Sequence, residues 1–212
     1  LQWQQGKFKP ITTAEAADVI SEFKRFVPKW CRIMRVNRDI PTYVTSAGID
    51  RTNLRQYVQQ LQKQKGILCS CIRCREIGRK GWSGKSVMTV TEYEGSGGKE
   101  FFIAAEDPVN DAIIGFCRMR LPSQQLRSEI TATTAIIREL HVYASAVAIG
   151  EEPDEEKKMQ HRGFGKKLMK KAEEIAVANN KSRMLVISGV GAKEYYKKLG
   201  YAYDGPYMGK EL

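Results

Sequence analysis

The stretch Gln160-His161-Arg162-Gly163-Phe164-Gly165 limits this chain more than any other. Its two glycines open directly into an amphipathic run, where Phe164, Leu168, Ala172, Ile175 and Ala176 recur at helical spacing. A helix that starts in a glycine-rich turn has backbone N–H groups without intrahelical partners. The helix dipole adds partial positive charge to them. Because glycine lets the backbone come close, such a turn suits a phosphate or pyrophosphate. The same six residues also fit an ordinary loop-to-helix junction, so the surroundings must decide.

The chain has 212 residues, of which 42% are hydrophobic, enough for one large domain or a domain with a flanking piece. No apolar run reaches the length of a membrane span, and the first residues lack the apolar core of a secretory signal. The chain opens at Leu1 and reads as part of something longer. Its net charge of +11, from 35 Lys+Arg against 24 Asp+Glu, favours a polyanionic partner such as nucleic acid or a phosphate-rich cofactor. A lysine-rich soluble protein is the plain alternative. Of five cysteines, Cys69, Cys71 and Cys74 fall within six residues, and Cys31 and Cys117 stand apart. This points to metal ligation in a reducing cytoplasm, not to a secreted disulfide framework.

Thr12 and Glu15 form a capping box for a first helix with an apolar stripe of Ala16, Val19, Ile20, Phe23 and Val27. Trp30 to Ile40, bracketed by Pro28 and Pro41, reads as a strand or extended segment. A second helix runs from about Arg51 to Lys65, with Leu54, Tyr57, Val58 and Leu61 on one face and Gly66 as its stop. Leu68 to Lys85 is rich in cysteine, glycine and basic residues, and marks a boundary or structured linker. Strands follow at 86–94, 100–106, 112–121 and 135–143, with a hairpin turn at 95–98 and a turn at 107–111. Beyond the glycine-rich turn and its helix come a buried strand at 184–188, a short helix at 191–199 and a last strand at 201–208. Early hairpins followed by alternating strands and helices imply a mixed sheet flanked by helices, an α/β (α+β) fold.

At this point the residues carry a resemblance. Glu139-Leu140-His141-Val142-Tyr143, then Gln160-x-x-Gly163-x-Gly165, then Tyr195-Tyr196-x-x-x-Gly200-Tyr201 resemble the GNAT acetyltransferase superfamily. With Arg35-Val36-x-Arg38-Asp39-Ile40-Pro41, Cys74-Arg75-Glu76-Ile77-Gly78, Ile187-Ser188-Gly189-Val190-Gly191 and Gly205-Pro206-Tyr207-Met208, the chain is similar to the Elongator catalytic-subunit family, which modifies the tRNA wobble uridine. The resemblance implies a GNAT fold over 86–212, a cysteine-rich zinc-binding linker at 65–85, and the end of a radical S-adenosylmethionine domain at 1–64. Family members hold S-adenosylmethionine and a 4Fe-4S cluster through a Cys-x4-Cys-x2-Cys run, which this sequence does not contain.

For acetyl-CoA, the resemblance implies a pyrophosphate grip at Gln160, Arg162, Gly163, Phe164, Gly165 and Lys166, and a pantetheine-binding strand at Glu139, Leu140, His141 and Val142. Thioester cleavage needs a proton donor near sulfur, for which Tyr196 is the first candidate and Tyr195 the second. Adjacent helical positions point about 100° apart, so one of the two packs while the other reaches the cofactor. Glu139 and His141 are the ionisable groups on the central strand; a structural histidine and a salt-bridged glutamate are their plain readings. Cys69, Cys71 and Cys74 suit one tetrahedral Zn²⁺, with Cys31 as first candidate for the fourth ligand and Cys117 as second. Arg32, Arg35, Arg38, Arg73, Arg75, Arg79 and Lys80 form the expected phosphate-contact set; a solvated basic face is the alternative for each.

The function this implies is an acetyl-CoA-binding domain that hydrolyses acetyl-CoA when stimulated by tRNA, engages the tRNA anticodon region and serves C5 carboxymethyl formation on the wobble uridine. The missing radical domain would be needed for the full reaction, and the setting is cytoplasmic. A protein-lysine acetyltransferase is one alternative. A zinc-stabilised RNA-binding module with a degenerate acetyltransferase half is the other.

Overall fold

A computed structural model describes residues 1–37, 40–143 and 163–212. They divide into two compact units, Leu1–Arg75 and Glu76–Leu212.

In the first unit, helix α1 (Thr13–Phe23) begins at the expected capping box, with Thr12 and Glu15 each accepting a hydrogen bond from the other's backbone N–H. It packs on α2 (Leu54–Gln64) through Ala17, Leu54 and Val58. The buried face of α1 is Ala16, Ala17 and Ser21, whereas Val19 and Phe23 are 62% and 59% exposed. The expected stripe is therefore split: Ala16, Ile20 and Val27 turn inward while Val19 and Phe23 do not, because the contact with α2 centres on the small Ala17. Lys65 closes the pair with ion pairs to Asp18 (2.6 Å) and Glu22 (3.0 Å). After α2, Gly66 takes the positive φ of a helix stop.

The described part of 30–40 forms no strand. Its carbonyls find a side chain instead of a ladder: the Arg55 guanidinium donates to the carbonyls of Ile33 (3.0 Å) and Met34 (2.9 Å). The stretch read as a linker contains two short helices, α3 (Ile72–Arg75), which ends the first unit, and α4 (Ile77–Lys80), which opens the second.

The second unit is a seven-stranded sheet: β1 (Val87–Gly95), β2 (Gly98–Asp107), β3 (Ala112–Leu121), β4 (Thr134–Val142), β5 (Arg183–Val186), β6 (Ala202–Asp204) and β7 (Tyr207–Glu211). The spatial order is β1-β2-β3-β4-β5-β7-β6. Every neighbouring pair is antiparallel except β4 and β5, which run parallel. The expected last strand is a hairpin of two, turned at Gly205 with φ +55°. Helix α5 (Phe164–Ala178) lies over one face, burying Phe164, Leu168, Met169, Ala172 and Ala176. These meet Phe101, Ile103, Ala105, Cys117, Met119, Ala135, Ile137, Met184 and Val186 in the main core. Helix α6 (Lys193–Lys197) is shorter than the expected 191–199.

Strand β4 carries the feature that positions the site. Its register with β3 pairs Met119 with Ile137 but Arg118 with Glu139, so Arg138 is an extra, bulged residue. Before the bulge, Ala135 and Ile137 face α5; after it, Leu140 does.

Candidate acetyl-CoA cleft and thiolate knuckle

Beyond Ile137 the parallel strands part, and the gap opens into a cleft of about 370 Å³. Leu140 and Val142 line it from β4, Gly163, Gly165 and Lys166 from the start of α5, and Ala192, Tyr195 and Tyr196 from the α6 segment. Gly163 caps α5 in a left-handed conformation (φ +105°) and offers no side-chain cap, and the first turn of the helix holds no acidic residue. The helix thus begins with uncapped N–H groups beside Lys166, an arrangement suited to an anion. A side chain at Gly165 has no room: its Cβ would stand 2.5 Å from the Tyr195 hydroxyl oxygen.

Tyr195 and Tyr196 meet edge to face at 5.2 Å between ring centroids. Tyr196 is 6% exposed and Tyr195 38%, so the buried member of the pair is the first-choice tyrosine, yet both line the cleft. Burial pushes the Tyr196 hydroxyl up to about 12, with the nearby Cys117 and Tyr195 adding to the shift. Burial raises Tyr195 as well.

Of the four strand residues expected at the cofactor, Leu140 and Val142 line the cleft through their side chains. Glu139 and His141 turn to the other face. Glu139 accepts a hydrogen bond from the Arg118 guanidinium at 2.9 Å, and His141 lies against the rings of Phe116 (6.0 Å) and Tyr143 (4.4 Å). Only their backbone can serve a pantetheine arm. The bulge causes this division, and nothing in an apolar–polar pattern announces it. Gln160, Arg162 and Arg38 lie outside the described residues.

In the first unit, the sulfurs of Cys69, Cys71 and Cys74 lie within 4.8 Å of one another. Tetrahedral Zn–S bonds of about 2.3 Å place sulfurs roughly 3.8 Å apart, so the group fits one ion after a small contraction. Hydrogen bonds within the trio hold Cys71 toward the thiolate and Cys69 toward the thiol. The knuckle is shaped by local turns, with the Cys74 N–H donating to the Cys71 carbonyl at 3.0 Å. The Cys31 carbonyl accepts from the Ile72 N–H at 2.9 Å, which brings its backbone alongside, but its sulfur does not join the trio. Cys117 is a poor fourth ligand: it is wholly buried within the main core on β3, and burial holds its thiol far above the usual range. Sequence reasoning missed Lys24. Its ammonium is wholly buried and donates to the Cys74 sulfur at 3.6 Å. A fully buried lysine calls for a hydrogen-bond acceptor, and here the acceptor is sulfur. Spacing alone cannot show this, since the two residues are 50 positions apart.

Of the expected phosphate contacts, Arg35, Arg79 and Lys80 are exposed and Arg32 and Arg73 half-buried. Arg75 is a correction: it is 1% exposed, so its guanidinium is inside the protein and not presented to a polyanion.

The radical SAM C-terminal domain family matches residues 1–64, and the acetyltransferase (GNAT) family matches residues 75–201. The chain is 44% identical over 218 aligned positions to a tRNA uridine(34) acetyltransferase of Methanocaldococcus infernus, covering 99% of this chain and 41% of the relative. It is 41% identical to Elongator complex protein 3 of Schizosaccharomyces pombe, covering 99% and 40%. The structure of the archaeal Elp3 of Methanocaldococcus infernus with an N-terminal deletion superposes with a TM-score of 0.87 at 42% identity, covering all of this chain and 51% of that one. The chain thus spans about two fifths of the length of these curated relatives. No helix among the described residues is long and apolar enough to cross a membrane.

Proposed function

The chain belongs to the GNAT acetyltransferase family, and from that premise we propose that it binds acetyl-CoA and supplies the acetyl-handling part of a tRNA wobble-uridine-modifying enzyme. The observation that carries this reading is the cleft itself, where an uncapped helix start, a strand edge and two tyrosines surround one space.

In this reading the N–H groups at the start of α5, with Lys166, hold the pyrophosphate. The backbone of Glu139 to Val142 takes the pantetheine amides, and the side chains of Leu140 and Val142 press on the arm. Tyr196, or Tyr195 beside it, donates a proton to the departing sulfur. With its pKa near 12, Tyr196 keeps that proton through the neutral range. Water cleaves the thioester and releases CoA in either case, leaving acetate from free acetyl-CoA and the carboxylate of the carboxymethyl group once the acetyl methyl carbon is bonded to the uridine. The acceptor is C5 of the wobble uridine in the tRNA anticodon, which ends as a carboxymethyl. That carbon–carbon bond needs the radical chemistry of S-adenosylmethionine and an iron–sulfur cluster in the preceding domain of the longer relatives. The Cys69–Cys71–Cys74 knuckle holds a structural Zn²⁺, and Arg32, Arg35, Arg73, Arg79 and Lys80 contact tRNA phosphates.

Protein-lysine acetylation is the less supported reading. Such enzymes often place a carboxylate base by the acceptor amine, and Glu139, the carboxylate on the central strand, is paired with Arg118 on the face away from the cleft.

The test is acetyl-CoA hydrolysis by the purified chain with and without tRNA. Stimulation by tRNA but not by a lysine-rich peptide is expected, and Tyr196→Phe should slow turnover about 10²-fold with binding largely retained. Efficient peptide acetylation indifferent to tRNA would overturn the proposal. Absence of acetyl-CoA binding in calorimetry would favour a degenerate acetyltransferase half.

A further inference from the structure

A second cavity, of about 380 Å³, lies in the C-terminal unit on the sheet face opposite α5. Its floor is apolar. Ile136 and Ile130 belong to a small separate core with Leu185, against which Tyr207 packs, and Ile187 and the exposed Leu126 complete the wall. Its charged side is built by the bulge in β4. Arg138, the extra residue, enters this cavity beside Arg120 of β3. Both guanidiniums donate to one oxygen of Glu100 on β2, Arg120 at 2.7 Å and Arg138 at 2.5 Å. Arg120 is pinned further by the carbonyls of Gly95 (2.8 Å) and Ser96 (3.0 Å).

Glu100 is 1% exposed, and its second oxygen has no hydrogen-bond partner among the described residues. One buried carboxylate thus serves two arginines and leaves the cluster with a net positive charge. Arg120 is consumed in structure. The Arg138 side chain is 46% exposed and makes no other hydrogen bond among the described residues. It is an anchored guanidinium with donors to spare, above an apolar floor that ends in a tyrosine ring. Ser96, Ser123 and Gln124 add polar groups to the rim.

We propose that this cavity receives a nucleotide of single-stranded RNA, its base lying on the isoleucine floor against Tyr207 and its phosphodiester paired with Arg138. Arginine's planar donor fork matches a phosphate, and an aromatic or apolar platform takes a base face whatever the sequence. The net charge of +11 agrees with a polyanion. The choice of RNA over another nucleotide source rests on the tRNA-directed reading above. The cavity is distinct from the cofactor cleft: Arg138 and Leu140 stand two residues apart on β4, yet one faces the nucleotide cavity and the other the cleft.

The test uses the whole chain and a seven-nucleotide uridine-rich RNA carrying one 5-iodouridine. Ultraviolet cross-linking followed by peptide mass spectrometry should place the base on the peptide containing Tyr207. Arg138→Gln and, independently, Leu126→Glu should each lower affinity by about tenfold and remove that cross-link. Leu126 is exposed, so its substitution does not threaten the fold. Acetyl-CoA binding, measured on the same variants, should be unchanged. Cross-links confined to other peptides, or a Leu126→Glu variant that binds the oligonucleotide as the parent does, would overturn the proposal. A chain that forms the Tyr207 cross-link but does not bind acetyl-CoA would overturn the acetyltransferase reading and leave the cavity assigned.

Discussion

Gly165 shows how one missing Cβ can shape a site. The Tyr195 hydroxyl occupies the space a side chain would need. Gly165→Ala should therefore move Tyr195 and weaken acetyl-CoA binding about tenfold in calorimetry. Its thermal midpoint should change little, since alanine favours the helix by roughly 1 kcal/mol. Lys24 acts at the same scale. Its buried ammonium donates to the Cys74 sulfur and would offset the charge of a zinc-bound thiolate, so Lys24→Met should reduce zinc retention about 10- to 100-fold against a chromogenic chelator. The metal-free variant should be no less stable than the metal-free parent, because a buried charge has been removed. Chelation of the parent should expose three thiols to alkylation at Cys69, Cys71 and Cys74. The glycines and the cysteine trio were visible in the sequence because their spacing is local. Lys24 was not, because its partner is 50 positions away and lysines on a basic chain draw no notice.

Among the elements, the strands and their turns were the most legible. The alternation of Val87 to Tyr93 and the glycines at 95, 97 and 98 mark the first hairpin because turn chemistry is local. Asp107 is a further example. It accepts hydrogen bonds from the Ser83 N–H (2.6 Å), the Ser83 hydroxyl (2.8 Å) and the N–H groups of Val109 (2.9 Å) and Asn110 (3.2 Å). Burial works against its charge, yet these donors hold the carboxyl below its ordinary value of 3.8. The stabilisation is present above that value and is lost as pH falls through the folded-state value. Asp107→Ala should lower stability by about 2–4 kcal/mol at neutral pH in denaturant titration, and the gap from the parent should narrow in acid. What was not legible at this scale depends on tertiary partners. The exposure of Val19 and Phe23 on α1 follows from the close approach at Ala17, and the absence of a strand in the described part of 30–40 from the reach of Arg55.

For the whole molecule, the excess of 11 positive charges governs how it meets a polyanion. RNA affinity should fall steeply with salt, with a log–log slope of about −0.7 for each single-strand phosphate contact. Fluorescence anisotropy at about 50 and 200 mM monovalent salt should show at least a tenfold loss. A flat response would mean that the basic residues do not meet phosphates. The mixed sheet and the parallel pairing of β4 with β5 were readable from the order of strands and helices. The way β4 serves both faces was not, since a bulge leaves the hydrophobic pattern looking merely imperfect.

That bulge works as a phase slip. Odd-numbered positions of β4 point toward α5 up to Ile137, and even-numbered ones do so from Leu140 onward. Removing Arg138 would let the two halves join in plain alternation with every other side chain on its present face. Adding one more residue there would by the same parity keep Leu140 and Val142 toward α5, but would leave two residues of β4 without partners on β3 instead of one. Either change of length at this point therefore leaves the division of faces in place, and length variants of the segment 136–140 can measure directly what each unpaired residue costs.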